Sequence, residues 1–123
     1  MILGTGLDIV QVTRIEKAAR NKLFYTKNFT PGEIKLFESR PNAAETAAGN
    51  FAVKEAVLKC LGCGIFDMPL CDIEVLREDT GRPYVNLTGK AREKADELGI
   101  KRMHISISHT GGFAAGQAVA EGE

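Results

Sequence analysis

The pattern of apolar and polar positions predicts five β-strands. Apolar residues dominate positions 2–12 around two glycines, which indicates a buried strand bent near Gly4 or Gly6. The other four strands form two pairs, each joined by a turn: 73–76 with 84–87, and 103–108 with 113–120. Strands joined by short turns are antiparallel. We therefore expect an α+β fold in one domain over residues 1–123, with an antiparallel sheet packed against helices.

Four helices are predicted between these strands. The longest is an alanine-rich segment at 43–61, a central helix with a broad apolar surface that Gly62 would close. Capping signals predict the three others. The first runs from Thr13 to Arg20, with Glu16 at the capping-box position. The second runs from Thr30 to Ser39, with Pro31 at the first helical position and Glu33 at the capping-box position. The third runs from Gly89 to Leu98 after Thr88.

Composition and charge exclude several classes of protein. The 123 residues carry 16 basic and 16 acidic side chains, so the net charge of zero argues against a generic nucleic-acid binder. No apolar run approaches the ~20 residues that span a bilayer, so no membrane segment or leader is expected.

The three cysteines are best explained as free thiols in a reducing cytoplasm. Cys60 and Cys63 have C-x-x-C spacing, but no second ligand pair is present to complete a zinc site with them. Cys71 stands alone, so free thiols fit all three better than zinc or a disulfide.

Three polar features carry candidate chemistry. Asp8 interrupts an apolar strand, and Glu55 and Lys59 share one helix face at spacing i, i+4. Each has a simple structural interpretation, as a solvent-facing strand residue or an exposed ion pair. Together, two carboxylates and a lysine suit Mg²⁺ with a phosphate, because proteins commonly hold Mg²⁺ through one or two carboxylates plus substrate phosphates. The third feature is the strand 105–110, which presents Ser106 and Ser108 on one face and ends near His109.

Four motifs in order make the chain similar to a known family. They are Gly4-x-Gly6-x-Asp8-Ile9-Val10, Phe51-Ala52-x-Lys54-Glu55-Ala56-x-x-Lys59 followed by Leu61-Gly62, then Gly81-Arg82-Pro83, and Ser106-Ile107-Ser108-His109-Thr110. The chain resembles, over essentially its whole length, the short bacterial holo-[acyl-carrier-protein] synthases of the 4′-phosphopantetheinyl transferase superfamily. The resemblance implies that superfamily's fold and transfer of 4′-phosphopantetheine from coenzyme A to a serine of apo-acyl carrier protein, in fatty acid biosynthesis, with release of adenosine 3′,5′-bisphosphate.

The resemblance also implies roles for individual residues. Asp8 and Glu55 would hold Mg²⁺ with the coenzyme A pyrophosphate, and Lys59 would stabilise or protonate the departing phosphate. The base that accepts the serine proton is left open between Glu55 and a water on the metal. His109 would contact the nucleotide, in a pocket whose further residues are Ser108, Thr110, Pro83, Gly62, Asn50 and Lys54. The family commonly has arginine at position 50 and threonine at position 7, so Asn50 lacks that cationic phosphate contact, which Lys54 could replace.

Finally, the resemblance implies a homotrimer with active sites between subunits and a basic face for the acidic carrier protein. Positions 11–35 carry six basic against two acidic residues, and Arg14, Ile15 and Lys17 would receive the carrier. A solvated charged face is the simpler interpretation of this segment. Alternatives for the whole chain are a catalytically silent carrier-binding domain of the same fold, a metal-dependent nucleotide hydrolase and a structural Cys-x-x-Cys protein.

Overall fold

The computed structural model describes residues 1–123 and contains five strands and five α-helices. In chain order they are β1 (Ile2–Gln11), α1 (Val12–Ala18), α2 (Lys22–Asn28), α3 (Pro31–Glu38), α4 (Ala43–Cys60), a 3₁₀ turn (Leu70–Asp72), β2 (Ile73–Arg77), β3 (Pro83–Leu87), α5 (Gly89–Glu97), β4 (Arg102–Thr110) and β5 (Phe113–Glu121). One antiparallel sheet has the order β1-β5-β4, and β2 pairs with β3 in a separate hairpin. The predicted α+β class is confirmed.

The three-stranded sheet covers α4 with one face and leaves its other face open. Asp8 of β1 lies opposite Gly116 of β5, which lies opposite Ile107 of β4. This row faces α4, whereas the neighbouring positions of β1 point outward, and Leu7 and Ile9 are 65% and 66% exposed. The predicted strand at 2–12 is present, but the prediction that it is buried is wrong, because only every second side chain points towards the core.

Helix α4 approaches the sheet through small residues. Ala52 and Ala56 are fully buried on its sheet-facing side. A Cβ atom at Gly6 would lie 1.8 Å from the carbonyl oxygen of Ala56, and a Cβ atom at Gly116 would lie 2.5 Å from the amide nitrogen of Val53. Only glycine leaves room for this contact between backbones, which brings the β1 segment that carries Asp8 against α4.

Several of the predicted boundaries follow from local capping. Thr30 and Glu33 form the expected capping box at the start of α3, with Pro31 in the first turn. The predicted long helix and both strand pairs are also present. Thr88 precedes α5 but makes no side-chain cap; instead the Asp72 carboxylate accepts a hydrogen bond from the amide of Lys90.

The segment between β1 and α3 differs from the prediction. Helix α1 begins at Val12, one residue before the expected N-cap Thr13, and Gln11 precedes it without a side-chain cap. Helix α2 was not predicted; the Asn21 side chain caps it by accepting from the amide of Leu23. Burial of Phe29 and Phe37 among neighbouring aromatic rings stabilises this region.

No helix of the structure combines the length and apolar content needed to cross a membrane.

Candidate active site

Asp8, Glu55 and Lys59 lie at the contact between β1 and α4. The Lys59 ammonium donates a hydrogen bond of 2.7 Å to the carbonyl oxygen of Leu7 and lies 3.5 Å from Asp8 Oδ1. The Asp8 side chain is only 23% exposed, because it points towards α4 rather than into solvent. Lys59 thus pairs across the fold with Asp8, and the simple interpretation of a Glu55–Lys59 surface ion pair does not hold.

The charges at this contact do not balance. Burial first, and then the negative charge of Asp8, raise the pKa of Glu55 above its ordinary value, while Lys59 opposes that rise. Two carboxylates share one lysine, so a second cation would relieve their repulsion. No third histidine, cysteine, aspartate or glutamate joins them as a ligand group. Two carboxylates without a full protein cage suit Mg²⁺, which takes its other ligands from phosphates and water.

A shallow cavity adjoins Asp8 and Lys59 on the outer side of β1. It has a volume of about 320 Å³ and is lined by Leu7, Asp8, Ile9, Lys59 and Ala115. A second cavity of about 260 Å³ lies further across the open sheet face and shares Leu7 and Ala115 with the first. Ser108 lines this second cavity. The space beside Asp8 and Lys59 is therefore open to a ligand and adjoins the exposed sheet face.

His109 lies on the far side of α4 from Asp8. Its ring packs against Gly49, and its Nε2 atom is 3.0 Å from the carbonyl oxygen of Glu45. β5 separates β4 from β1, so these two strands are about 10 Å apart, with α4 covering the row between them. A single chain does not bring His109 together with Asp8 and Glu55.

The remaining predicted pocket residues are dispersed. Ser108 and Thr110 are exposed on the opposite sheet face from His109, and Pro83 begins β3 half-buried. Gly62 is exposed directly after α4 with φ of 69°, a conformation that favours glycine. None of these four joins Asp8 and Glu55 within one chain.

Asn50 and Lys54 occupy a different position from the one expected. Both side chains are fully buried, together with Glu33 of α3. The Lys54 ammonium donates to Glu33 Oε1 at 2.7 Å, to the carbonyl oxygen of Leu70 at 2.9 Å and to that of Ile73. Asn50 Nδ2 donates to Glu33 Oε2 at 2.9 Å and to the carbonyl oxygen of Val75 at 2.8 Å. All hydrogen-bond donors of both side chains are used inside the core, and neither side chain is exposed where a nucleotide could bind. This geometry therefore does not support the cofactor-binding role expected for Asn50 and Lys54.

Glu33 is the polar residue that sequence reasoning missed. The position of Glu33 in a capping box predicts a role at the start of α3. The same carboxylate also accepts hydrogen bonds from Lys54 and Asn50. Burial raises the pKa of Glu33 and lowers that of Lys54, and the ion pair between them opposes both changes. We refer to Glu33, Asn50 and Lys54 as the buried polar cluster. The available signal was a lysine at spacing i+4 from Asn50 on an otherwise apolar helix face.

The expected carrier-docking residues of α1 divide into two groups. Arg14 and Lys17 are exposed, whereas Ile15 is 3% exposed and packs in the core beside Val12 and Phe37. The Ile15 side chain holds α1 onto the protein, so its burial gives no support to the docking contact expected for it. The three cysteines are free thiols, and buried Cys60 donates to the carbonyl oxygen of Ala118.

Comparison with known proteins connects this geometry to a family. Residues 4–117 match the model of the 4′-phosphopantetheinyl transferase superfamily. A holo-[acyl-carrier-protein] synthase of Alkaliphilus oremlandii is 46% identical over 121 residues, covering 98% of this chain and 99% of that protein. The solved synthase of Neisseria meningitidis superimposes with a TM-score of 0.88 at 31% identity, covering 98% of this chain and 99% of that one. The Helicobacter pylori synthase, solved with coenzyme A, gives 0.80 at 32% identity, covering 95% and 99%. The resemblance in sequence and the expected fold are confirmed.

Proposed function

The chain belongs to the 4′-phosphopantetheinyl transferase superfamily, and from this premise we propose that it acts as a holo-[acyl-carrier-protein] synthase. It transfers the 4′-phosphopantetheine group of coenzyme A to a serine hydroxyl of an apo-acyl carrier protein and releases adenosine 3′,5′-bisphosphate. The observation that carries this proposal is the grouping of Asp8, Glu55 and Lys59 at the contact between β1 and α4, where Asp8 and Lys59 line an open cavity. The setting we propose is fatty acid biosynthesis in the cytoplasm.

Asp8 and Glu55 are the residues that would hold Mg²⁺. Their carboxylate oxygens match the ligand preference of this ion, and their mutual repulsion favours a cation between them. When bound, Mg²⁺ neutralises charge that develops on the pyrophosphate during transfer.

The transfer needs a positive charge at the leaving group and a proton acceptor at the serine hydroxyl. The Leu7 carbonyl oxygen fixes the Lys59 ammonium at the rim of the cavity, where a positive charge stabilises the departing phosphate oxygen of adenosine 3′,5′-bisphosphate. As the serine hydroxyl oxygen of the carrier attacks the phosphorus atom of coenzyme A, its proton passes either to Glu55 or to a water molecule.

A homotrimer with active sites between subunits accounts for the dispersed pocket residues. The outer sheet face exposes Leu7, Ile9 and Phe113, and contiguous exposed apolar side chains are typical of protein interfaces. Because α4 separates His109 from Asp8 within one chain, His109 of a neighbouring copy is the one that would reach the nucleotide near Asp8 and Glu55. Ser108 and Thr110 lie on this same outer face and would face the neighbouring subunit.

The exposed cations of α1 are the proposed contact for the carrier protein. Arg14 and Lys17 point into solvent, and the segment at 11–35 has an excess of basic residues. Acyl carrier protein is acidic, so charge complementarity would mainly accelerate its association.

A mass-shift assay tests the function. Incubated with apo-acyl carrier protein, coenzyme A and Mg²⁺, the chain is expected to add one phosphopantetheine to the carrier mass. Glu55→Gln is expected to abolish the shift, while Glu93→Gln on the exposed face of α5 serves as a matched control and retains it. No shift with the wild-type chain would refute the transfer reaction. Carrier binding without transfer would support the silent binding domain instead.

A further inference from the structure

The buried polar cluster connects α4 to three other segments. Glu33 comes from α3, Asn50 and Lys54 from α4, and the backbone partners from the 3₁₀ turn and β2. Each Glu33 oxygen accepts two donors: Oε1 from Lys54 and the amide of Thr30, Oε2 from Asn50 and the amide of Val75. The Glu33 carboxylate is thus completely coordinated by nitrogen donors, each with a defined direction.

On its sheet side, α4 makes hydrogen bonds only near its two ends, from Lys59 to the Leu7 carbonyl oxygen, between His109 and the Glu45 carbonyl oxygen, and from Cys60 to the Ala118 carbonyl oxygen. Between these ends the helix meets the sheet through Ala52, Ala56 and the two glycines of β1 and β5. These small residues set the distance between helix and sheet, whereas the rotation of the helix depends on its directional contacts, and the buried polar cluster supplies the fully buried ones in the middle of the helix. Lys54 directly precedes Glu55, and any rotation of α4 that moves the Lys54 ammonium also moves the Glu55 carboxylate relative to Asp8.

We propose that the buried polar cluster is a positioning device that fixes the rotation of α4 and thereby places Glu55 opposite Asp8. Glu33, Asn50 and Lys54 touch no substrate; they act through the helix that carries Glu55. The cluster has one free acceptor, because Asn50 Oδ1 has no hydrogen-bond partner. This inference rests on the proposed function, since it takes Asp8 and Glu55 as the metal ligands.

Binding of Mn²⁺ with saturating coenzyme A and no carrier protein tests the proposal. Lys54→Met keeps the alkyl chain but removes three hydrogen bonds, and it is expected to weaken Mn²⁺ binding by about tenfold or more. The value of kcat is expected to fall by up to about 100-fold, because small displacements of reacting groups are costly. The KM for carrier protein should change far less, since the carrier contact lies on α1.

Two further variants separate positioning from stability. Ile100→Ala removes core packing near α5 and serves as the destabilised control: it should lower the melting temperature and leave Mn²⁺ affinity within about twofold. Asn50→Ala removes two hydrogen bonds but keeps the Glu33–Lys54 ion pair, and it replaces Lys54→Met if that variant does not fold. It should weaken Mn²⁺ binding in the same direction by a smaller factor.

The possible outcomes are distinct. Wild-type Mn²⁺ affinity in folded Lys54→Met and Asn50→Ala would overturn the positioning role, and so would an equal loss of affinity in Ile100→Ala. Transfer by the wild-type chain is measured in parallel. Absence of transfer together with weakened Mn²⁺ binding in the cluster variants would refute the proposed function while supporting the positioning of Glu55.

Discussion

Replacing Gly6 by alanine should separate β1 from α4. The new Cβ atom would lie 1.8 Å from the Ala56 carbonyl oxygen and 2.7 Å from its carbonyl carbon, whereas ordinary contacts begin near 3.4 Å. Both obstructing atoms belong to the helix backbone, so no side chain can rotate away. The strand and the helix must therefore move apart by more than about 1 Å, as over-packing of a close-packed interior requires.

The expected loss of stability follows from two opposing effects. Over-packing of this severity costs about 3 kcal/mol, while loss of glycine flexibility in the unfolded chain returns about 0.4–1 kcal/mol. The net decrease in the free energy of unfolding is therefore about 2 kcal/mol, which corresponds to a melting temperature lower by about 8 °C in a domain of this size. Activity should fall more steeply, because the displaced strand carries Asp8 and the Leu7 carbonyl that holds Lys59.

Urea unfolding and the carrier mass-shift assay measure the two effects. Gly64→Ala is the matched control, because its Cβ atom would meet only Asp67 Oδ2, at 3.5 Å, and its φ is not positive. That variant should be as stable as wild type. A Gly6→Ala chain with wild-type stability and transfer rate would refute the argument that close approach of β1 and α4 assembles the site.

Three other substitutions probe the charges and surfaces of the site. Asp8→Asn should lower the pKa of Glu55 in the metal-free protein towards, but not to, its ordinary value, because burial remains after the Asp8 charge is removed; an unchanged NMR titration of Glu55 would contradict their coupling. Glu55 binds a cation only when it is ionised, and its raised pKa means that it becomes protonated at a higher pH than an ordinary glutamate. As the pH is lowered, the Mn²⁺ affinity of the wild-type chain should therefore begin to fall at a higher pH than it would with an ordinary glutamate at this position. Arg14→Glu should raise the KM for carrier protein about tenfold or more with little change in coenzyme A binding, and equal effects on both substrates would remove the docking contact from α1. Ile9→Asp places a charge on the open sheet face and should dissociate the assembly in light scattering, whereas an unchanged mass would argue against an interface there.

Local sequence signals accounted for much of the secondary structure. The capping box at Thr30 and Glu33 and the alanine content of α4 act within a few residues, so they could be interpreted without knowledge of the rest of the chain. Helix α2 was missed because its short sequence has weak local signals, and aromatic packing supplies its stability. Asp8, Glu55 and Lys59 could be selected as candidates by residue type and motif, but the pairing of Lys59 with Asp8 could not.

The sequence alone determined the five strands and four of the five α-helices, the family that the motifs resemble and the side chains that could bind a metal. Only the tertiary structure decided the environment of each polar side chain. Lys54 and Glu55 are neighbours in the chain, yet the 100° rotation per helical residue places them in different environments, one in the core and one beside Asp8. The same applies to Ile15, whose side chain is directed into the core while Arg14 faces solvent. Burial depends on what packs against a residue, and contacts between residues distant in the chain, such as Glu33 with Lys54, determine that packing.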